Sequence, residues 1–168
     1  PLAGPVVAAA VILERNGLSD VLTKGLDDSK KVKPEVREDL FQELKRTARF
    51  GIGEASADEI DILNILQATL LAMSRAVANL GAPSPDYALV DGNREPLLDC
   101  PVRCVVKGDG RSFSIAAASI IAKITRDEIM QNLDACYPGY GWARNFGYGT
   151  SEHKNAIARL GVTAEHRR

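Results

Sequence analysis

The chain has 168 residues, of which 45% are hydrophobic and 26% are charged, and its formal net charge at pH 7 is −1. This length predicts a single domain, residues 1–168, with a hydrophobic core of its own. The near-neutral charge excludes a protein that binds polyanions through its overall balance, so any such binding must come from local clusters. No apolar run approaches the roughly 20 residues of a membrane span, and we expect no signal peptide.

The first half of the chain alternates predicted strands and helices. A continuous apolar run at 5–13 is typical of a strand that is buried on both faces. A charged loop, "GLDDSKK", leads to a helix that starts at Pro34, and a short strand follows at 50–55. The segment "SADE" is a capping box that opens a long helical region, which Gly81 ends.

The second half continues this alternation. "YALVDGN" and "VRCVVKGD" predict two strands, each of which ends at an aspartate. An Ala-rich helix is predicted from near Ser114 until just before Pro138, and a loop rich in glycine and aromatic residues, "PGYGWARNFGYG", follows it. A short final helix ends at Gly161. The order of elements predicts the α/β class, with a sheet covered by helices.

The three cysteines indicate a reducing compartment, and we expect the cytoplasm. Cys100 and Cys104 lie on a predicted strand at a separation of roughly 13 Å, which is too long for a disulfide. With Cys136 and the two histidines they do not have the spacing of a zinc site. We expect free thiols.

The candidate chemistry rests on two aspartates, Asp91 and Asp109. Each one alone is ordinary turn chemistry after a strand. Together they indicate a site, because function in α/β sheets gathers at the carboxyl ends of strands. Carboxylates are the ligands that Mg²⁺ prefers, and two metal ions can hold the attacking water and the leaving oxygen of a phosphodiester. Such a site needs three or four acidic groups, and the spacing identifies only these two.

Basic and aromatic residues lie near these aspartates in the chain. Lys30 and Lys31 precede a helix, and Lys107 lies two residues before Asp109. A lysine pair is usually a solvated face, but beside a metal site it would meet a phosphate backbone. In the aromatic loop, Tyr148 is flanked by glycines and has the least packing reason to be there, so it is the candidate to stack on a base or sugar.

Three further residues favour structural interpretations. Asp127 lies four residues after Lys123, which is the spacing of an ordinary ion pair on a helix. His153 falls in the first turn of a helix without a serine or cysteine partner pattern, so a Ser-His-Asp or Cys-His hydrolase is not predicted.

The motifs together resemble one family throughout the chain. The sequence is similar to bacterial ribonuclease HII in "PLAGPVVAAAVIL", "DDSKK", "EIDILNILQATLLAM", "LVDGN", "VVKGD", "SIAAASIIAKITRD", "YPGYGW", "GYGTSEH" and "EHRR". The resemblance implies a ribonuclease H-like fold with a mixed central sheet flanked by helices. It implies an endonuclease, dependent on Mg²⁺ or Mn²⁺, that cuts on the 5′ side of ribonucleotides in RNA–DNA hybrids or duplex DNA. The products would carry 3′-hydroxyl and 5′-phosphate ends.

The resemblance also assigns roles to residues. Asp91 and Asp109 match two of the family's four active-site carboxylates, and Tyr148 matches the tyrosine that helps to read the ribose-to-deoxyribose junction. Lys30 and Lys31 match a basic motif that faces the phosphate backbone. Phe146 stands where members usually carry a basic residue, so we expect one phosphate contact fewer. We expect a monomer.

The other two family carboxylates belong to an Asp-Glu-Ala-Gly-Arg-Gly motif directly before the segment equivalent to "PLAGP". We therefore expect the chain as given to lack the first strand of the sheet, to be inactive and to be less stable than a chain with that strand. Three alternatives remain: a hybrid-binding module without catalysis, the sister ribonuclease HIII, and, last, a small-molecule phosphatase. The phosphatase would need neither Tyr148 nor the lysine pair.

Overall fold

A computed structural model describes residues 1–14, 18–26 and 32–168. Strands and helices alternate along most of it, which confirms the predicted α/β class. The strands are β1 (Val6–Ile12), β2 (Arg49–Ala55), β3 (Ala88–Asp91) and β4 (Val102–Val105). The helices are α1 (Asp20–Gly25), α2 (Pro34–Thr47), α3 (Ala57–Leu63), α4 (Ile65–Ala78), α5 (Phe113–Cys136), α6 (Trp142–Asn145) and α7 (Ser151–Leu160). None of the helices in these ranges is long and apolar enough to cross a membrane.

The first sheet pairs β1 with β2 in antiparallel register, from Val6 opposite Ala55 to Ile12 opposite Arg49. Helix α4 packs directly on this sheet through a face of buried alanines, Ala68, Ala72 and Ala76. The approach is so close that a Cβ on Gly53 would lie 2.1 Å from the Ala72 carbonyl oxygen. Small residues on both partners are therefore what lets the helix backbone rest on the strand.

The second sheet pairs β3 with β4 in parallel, from Ala88 opposite Val102 to Asp91 opposite Val105. Within the described residues, the two sheets share no ladder of hydrogen bonds. Helix α5 contacts β1 and β3 and so holds the two sheets in one body. A cavity of about 580 Å³ lies between these strands, and its lining includes all of Val7–Leu13, all of β3 and parts of α4 and α5.

The cavity explains one wrong prediction. The strand at 5–13 was expected to be buried on both faces, but of the residues of β1 only Ala8 is buried and the rest are half-buried. Residues Val7–Ile12 of β1 line the cavity, which leaves all of them except Ala8 half-exposed although the strand also contacts α4 and α5.

Three local differences from the sequence-based expectations have clear causes. Helix α1 was not predicted, and its N-cap is Ser19, whose hydroxyl accepts from the Leu22 backbone N–H. The long helix predicted after the capping box breaks at Asn64, which has φ 69° and whose side chain caps α4. The aromatic loop contains the short helix α6. The capping box itself is present, with Ser56 and Glu59 bonded to each other's backbone N–H.

The core lies on both sides of the first sheet. Helices α1, α2 and α5 form one cluster against it, and the alanine face of α4 forms another. A third cluster surrounds Trp142, which is fully buried. The three cysteines are free thiols, as predicted.

Candidate active site

The parallel pairing of β3 and β4 brings the two candidate aspartates to one end of the second sheet. Strand β3 ends at Asp91, which lies opposite Val105 near the end of β4. The chain then runs through Lys107 into a single 3₁₀ turn, Gly108–Gly110, that carries Asp109. The Gly108 backbone N–H donates to the Asp91 carboxylate at 2.8 Å, so one strand end is bonded to the turn that follows the other.

The turn depends on glycine at position 108. A Cβ there would lie 2.5 Å from Cδ1 of Ile115 on α5 and 3.4 Å from Oδ1 of Asp91. Lys107, just before it, has the left-handed conformation with φ 55°, which costs a non-glycine residue energy. The Asp109 carboxylate accepts from the Gly110 backbone N–H at 3.0 Å. The backbone therefore holds both carboxylates in place.

The donor set suits a hard divalent cation. Asp91 is exposed and lines the 580 Å³ cavity, whereas Asp109 is half-buried and lines a smaller cavity of about 250 Å³ beside Ser112. Carboxylate oxygens are the ligands that Mg²⁺ takes, commonly one or two together with substrate phosphate and water. Within the described ranges, no three histidine, cysteine or acidic side chains group closely enough to hold a metal ion. Each of the two side chains therefore offers carboxylate oxygens of the kind that such a cation binds, at the edge of a different cavity.

Tyr148 is the exposed aromatic residue of the loop after α6, with 51% of its surface accessible. Its backbone N–H donates to the Asn145 carbonyl at 2.8 Å, and its own carbonyl accepts from the Thr150 N–H at 2.8 Å. That carbonyl also lies 3.0 Å from Nδ1 of His153. Three hydrogen bonds thus hold the main chain of a residue whose ring is open to solvent.

Arg126 supports the ring of Tyr148. Its guanidinium lies 5.7 Å from the ring centroid. It is half-buried and donates to the carbonyls of Ala3 and Pro5, each at 3.1 Å, and of Phe146 at 3.0 Å. Burial lowers the pKa of Arg126 from its ordinary high value. The sequence analysis missed this residue, although the long helix on which it lies was predicted.

The structure describes some of the charged residues that the sequence analysis singled out. Lys30 and Lys31 lie outside the described residues. Lys107 is exposed beside the turn that carries Asp109. The Lys123–Asp127 ion pair was predicted and is confirmed, with 2.6 Å between Nζ and Oδ1.

Two aromatic residues of the loop are core, as expected for a loop held by its rings. Tyr140 and Trp142 are buried and stacked, with 5.1 Å between their centroids. Phe146 has a left-handed backbone, and Nζ of Lys123 lies 4.8 Å from its ring centroid. Tyr148 is the aromatic residue of this loop that projects outward.

The sequence analysis also missed a buried pair of histidines. His153 contacts Trp142 and His166, and both imidazoles lie behind Tyr148. The sequence offered one signal for this pair. The chain has only two histidines, both lie in its last 16 residues, and each directly follows a glutamate.

Solved structures with similar folds identify the class of protein. The ribonuclease H2 of Pyrococcus horikoshii OT3 superposes with a TM-score of 0.76 at 24% identity, covering 100% of this chain and 87% of that one. The structure of the PCNA:RNase HII complex from Archaeoglobus fulgidus matches with a TM-score of 0.73 at 25% identity, covering 99% and 87%. Bst-RNase HIII in complex with Mn²⁺ matches at 0.71 and 19% identity, covering 95% and 66%. The fold is that of a ribonuclease H.

Comparison of sequences narrows the class to one family. The family model for ribonuclease HII matches residues 1–168. The ribonuclease HII of Paramagnetospirillum magneticum is 58% identical over 168 residues, covering all of this chain and 83% of that protein. The ribonuclease HII of Ruegeria pomeroyi is 56% identical over 169 residues, covering all of this chain and 70% of that protein. The chain belongs to the ribonuclease HII family of enzymes, which confirms the predicted family.

Proposed function

We propose that this protein is an endoribonuclease that hydrolyses the phosphodiester on the 5′ side of a ribonucleotide, in RNA–DNA hybrids and in duplex DNA with embedded ribonucleotides. The products would carry 3′-hydroxyl and 5′-phosphate ends. The observation that carries the proposal is the hydrogen bond from the Gly108 N–H to Asp91, because it ties the strand end that carries Asp91 to the turn that carries Asp109, and both residues match motifs of the family.

Asp91 and Asp109 would hold Mg²⁺ or Mn²⁺ in this proposal. The bound cation would supply an activated water and neutralise charge on the phosphate. The donor chemistry supports this role, because both side chains offer carboxylate oxygens, Asp91 at the larger cavity and Asp109 at the smaller one. The neighbouring fold of Bst-RNase HIII, solved with Mn²⁺, supports it further.

The protein's other contribution would be to hold the nucleic acid. Tyr148 presents a half-exposed ring on a rigid main chain, so it can stack on the sugar at the ribose-to-deoxyribose junction. Lys107 is exposed next to the carboxylates and can meet a phosphate. Lys30 and Lys31 would contact the backbone of the duplex. We propose that the enzyme acts on its duplex as a monomer.

A binding module without cleavage is the second candidate for residues 1–168 taken alone. It is favoured by the count of acidic groups, since the described residues supply a pair where two-metal hydrolysis needs three or four.

The test uses the full-length gene product, Mg²⁺ or Mn²⁺, and a DNA duplex with one ribonucleotide, beside an all-DNA duplex. We expect one nick 5′ to the ribonucleotide, lost in Asp91→Asn and in Asp109→Asn. Asp99→Asn is the matched control, because Asp99 is exposed on the connection between β3 and β4. Absence of a nick from a folded protein in both metals would contradict the enzyme. Selective binding by residues 1–168 without cleavage would identify the binding module for that stretch.

A further inference from the structure

The two histidines of the chain lie in contact behind Tyr148. His153 has no accessible surface and His166 has 5%. Their Nε2 atoms are 3.2 Å apart. The pair joins α7, which carries His153, to the segment after it, which carries Thr163 and His166. Buried imidazoles need partners for both ring nitrogens, and here all four nitrogens have one.

The partners determine where the protons of His153 lie. The Tyr148 carbonyl can only accept, so Nδ1 of His153, 3.0 Å away, carries a hydrogen. The indole N–H of Trp142 can only donate, so Nε2 of His153, 3.0 Å away, carries none. His153 therefore donates from Nδ1 to the main chain of Tyr148 and accepts at Nε2.

The same reasoning determines the state of His166. Its Nδ1 accepts from the Thr163 backbone N–H at 2.9 Å, with the Thr163 hydroxyl 3.0 Å away. The hydrogen of the ring therefore lies on Nε2, 3.2 Å from Nε2 of His153, whose single lone pair it shares with the Trp142 N–H. The result is a directional series of bonds from Thr163 through His166 and His153 to the carbonyl of Tyr148.

A proton added to either ring would break this series. A second N–H on His153 would face the N–H groups of Trp142 and His166, and a second N–H on His166 would face that of Thr163. Burial, with the neighbouring His153, lowers the pKa of His166. The hydrogen-bond partners thus place the two rings in opposite tautomers.

The two residues before Tyr148 have backbone conformations that the surrounding structure must stabilise. Phe146 and Gly147 both have left-handed backbones, with φ of 48° and 76°. Without the His153 bond, the turn would retain the Thr150 and Asn145 bonds to Tyr148, which come from the same loop. Of the three hydrogen bonds to the Tyr148 main chain, the one from His153 comes from a fully buried side chain. The neighbouring Phe146 and Gly147 carbonyls accept from Arg126 and from the Leu2 backbone N–H.

We propose that His153 is a positioning residue for Tyr148 and that His166 keeps His153 in the tautomer this requires. The inference rests on the proposed function, in which the Tyr148 ring contacts the ribose. In this arrangement the C-terminal segment supports selectivity for ribonucleotides without touching the nucleic acid.

Two substitutions of similar size separate the Nδ1 bond of His153 to Tyr148 from its Nε2 contacts with Trp142 and His166. His153→Asn keeps an amide N–H near Nδ1, so it can still donate to Tyr148. His153→Gln places its amide near Nε2, so it keeps the side facing Trp142 and loses the donor to Tyr148. We would measure the dissociation constants of the full-length protein for a duplex with one ribonucleotide and for the all-DNA duplex. Their ratio is the selectivity, and each variant's melting temperature shows that it is folded during the assay.

We expect Tyr148→Ala to lower the selectivity about 10-fold, as for loss of one stacking contact. We expect His153→Gln to lower it about 5-fold, as for loss of one hydrogen bond, and His153→Asn to stay near the wild type. In the Tyr148→Ala background, His153→Gln should have no further effect on selectivity, because its action passes through that ring.

The outcomes separate this inference from the function on which it rests. If Tyr148→Ala leaves selectivity unchanged, the proposed role of Tyr148 in reading the ribose is wrong, and the inference fails with it. If Tyr148→Ala lowers selectivity but the His153→Gln effect is the same in both backgrounds, the inference alone is overturned.

A measurement on the unmodified protein does not depend on any variant folding. With ¹⁵N-labelled histidine, residues 1–168 contribute only two imidazole rings. Long-range ¹H–¹⁵N spectra should show the Nδ1–H tautomer for His153 and the Nε2–H tautomer for His166. The reverse tautomer for His153 would overturn the inference, since that ring could not donate to Tyr148.

Discussion

The backbone N–H of Gly108 donates to the carboxylate of Asp91 across 2.8 Å, although the two residues lie 17 positions apart in the chain. Parallel pairing of β3 and β4 creates this approach, since it sets both strand ends at one edge of the sheet. The bond fixes an exposed carboxylate without burying it. An acid held in this way keeps oxygen atoms available for a cation or a substrate.

Gly108→Ala should weaken both the site and the fold. The added methyl would meet Ile115 at 2.5 Å and push the turn away from Asp91. We expect a loss of about 1–3 kcal/mol in the free energy of unfolding, as for overpacking, and lower cleavage activity. Gly110→Ala is the control, because a Cβ there meets nothing within 4 Å and its change should stay within about 0.5 kcal/mol. Denaturant unfolding of both variants provides the comparison, and equal stabilities would contradict the role given to Gly108.

Gly53→Ala should be more damaging than Gly108→Ala. Its methyl would lie 2.1 Å from the carbonyl oxygen of Ala72 and 2.4 Å from the backbone nitrogen of Ala76, and neither atom belongs to a flexible side chain. Helix α4 would have to move off the sheet, at a cost of about 3 kcal/mol or more. Thermal unfolding followed by circular dichroism measures this, again beside Gly110→Ala. A melting temperature within 2–4 °C of the control, about the shift for 1 kcal/mol, would show that α4 adjusts easily.

The Glu59–Arg75 pair should make stability depend on pH in the acid range. Hydrogen bonds from the Arg75 guanidinium and the Ser56 backbone N–H lower the pKa of Glu59 from 4.5 to about 2. Because the folded pKa is the lower one, the contribution is complete above about 4.5 and is lost as the pH falls through about 2.

Glu59→Gln tests this dependence, since glutamine can still form the capping box. The difference in unfolding free energy between the wild type and the variant should be largest above pH 4.5 and should shrink toward pH 2. A constant difference over this range would mean that the charge of Glu59 contributes nothing to stability.

His166 should add a second pH dependence at milder acidity. Burial lowers its pKa below the ordinary 6.5, so the unfolded chain binds a proton that the folded chain resists. The contribution of the neutral ring is therefore complete above pH 6.5 and is lost as the pH falls through the lower folded value. Unfolding free energies from pH 8 to pH 5 should fall in the wild type. The decline should be smaller in His166→Gln, which cannot titrate, and an equal decline in both proteins would contradict the assignment.

Much of the fold follows from local sequence patterns. The apolar run of β1, the proline at the start of α2 and the Ser56–Glu59 capping box each predicted an element that the structure contains. Such signals need only neighbours in the chain, because caps and apolar periodicity act over a few residues. The break at Asn64 was missed, since a left-handed residue inside an apolar, helix-like sequence has no strong local signal.

The candidate site likewise has a part that the sequence predicted and a part that it did not. Residue types and motif order were enough to select Asp91, Asp109 and Tyr148, and to indicate the family, because these are properties of short segments. The bond between Gly108 and Asp91, the Arg126 guanidinium beside the Tyr148 ring and the His153–His166 pair depended on tertiary structure. Each joins segments that meet only when the sheets pair and the helices pack. Their energies arise from burial and hydrogen-bond geometry, which no local pattern encodes.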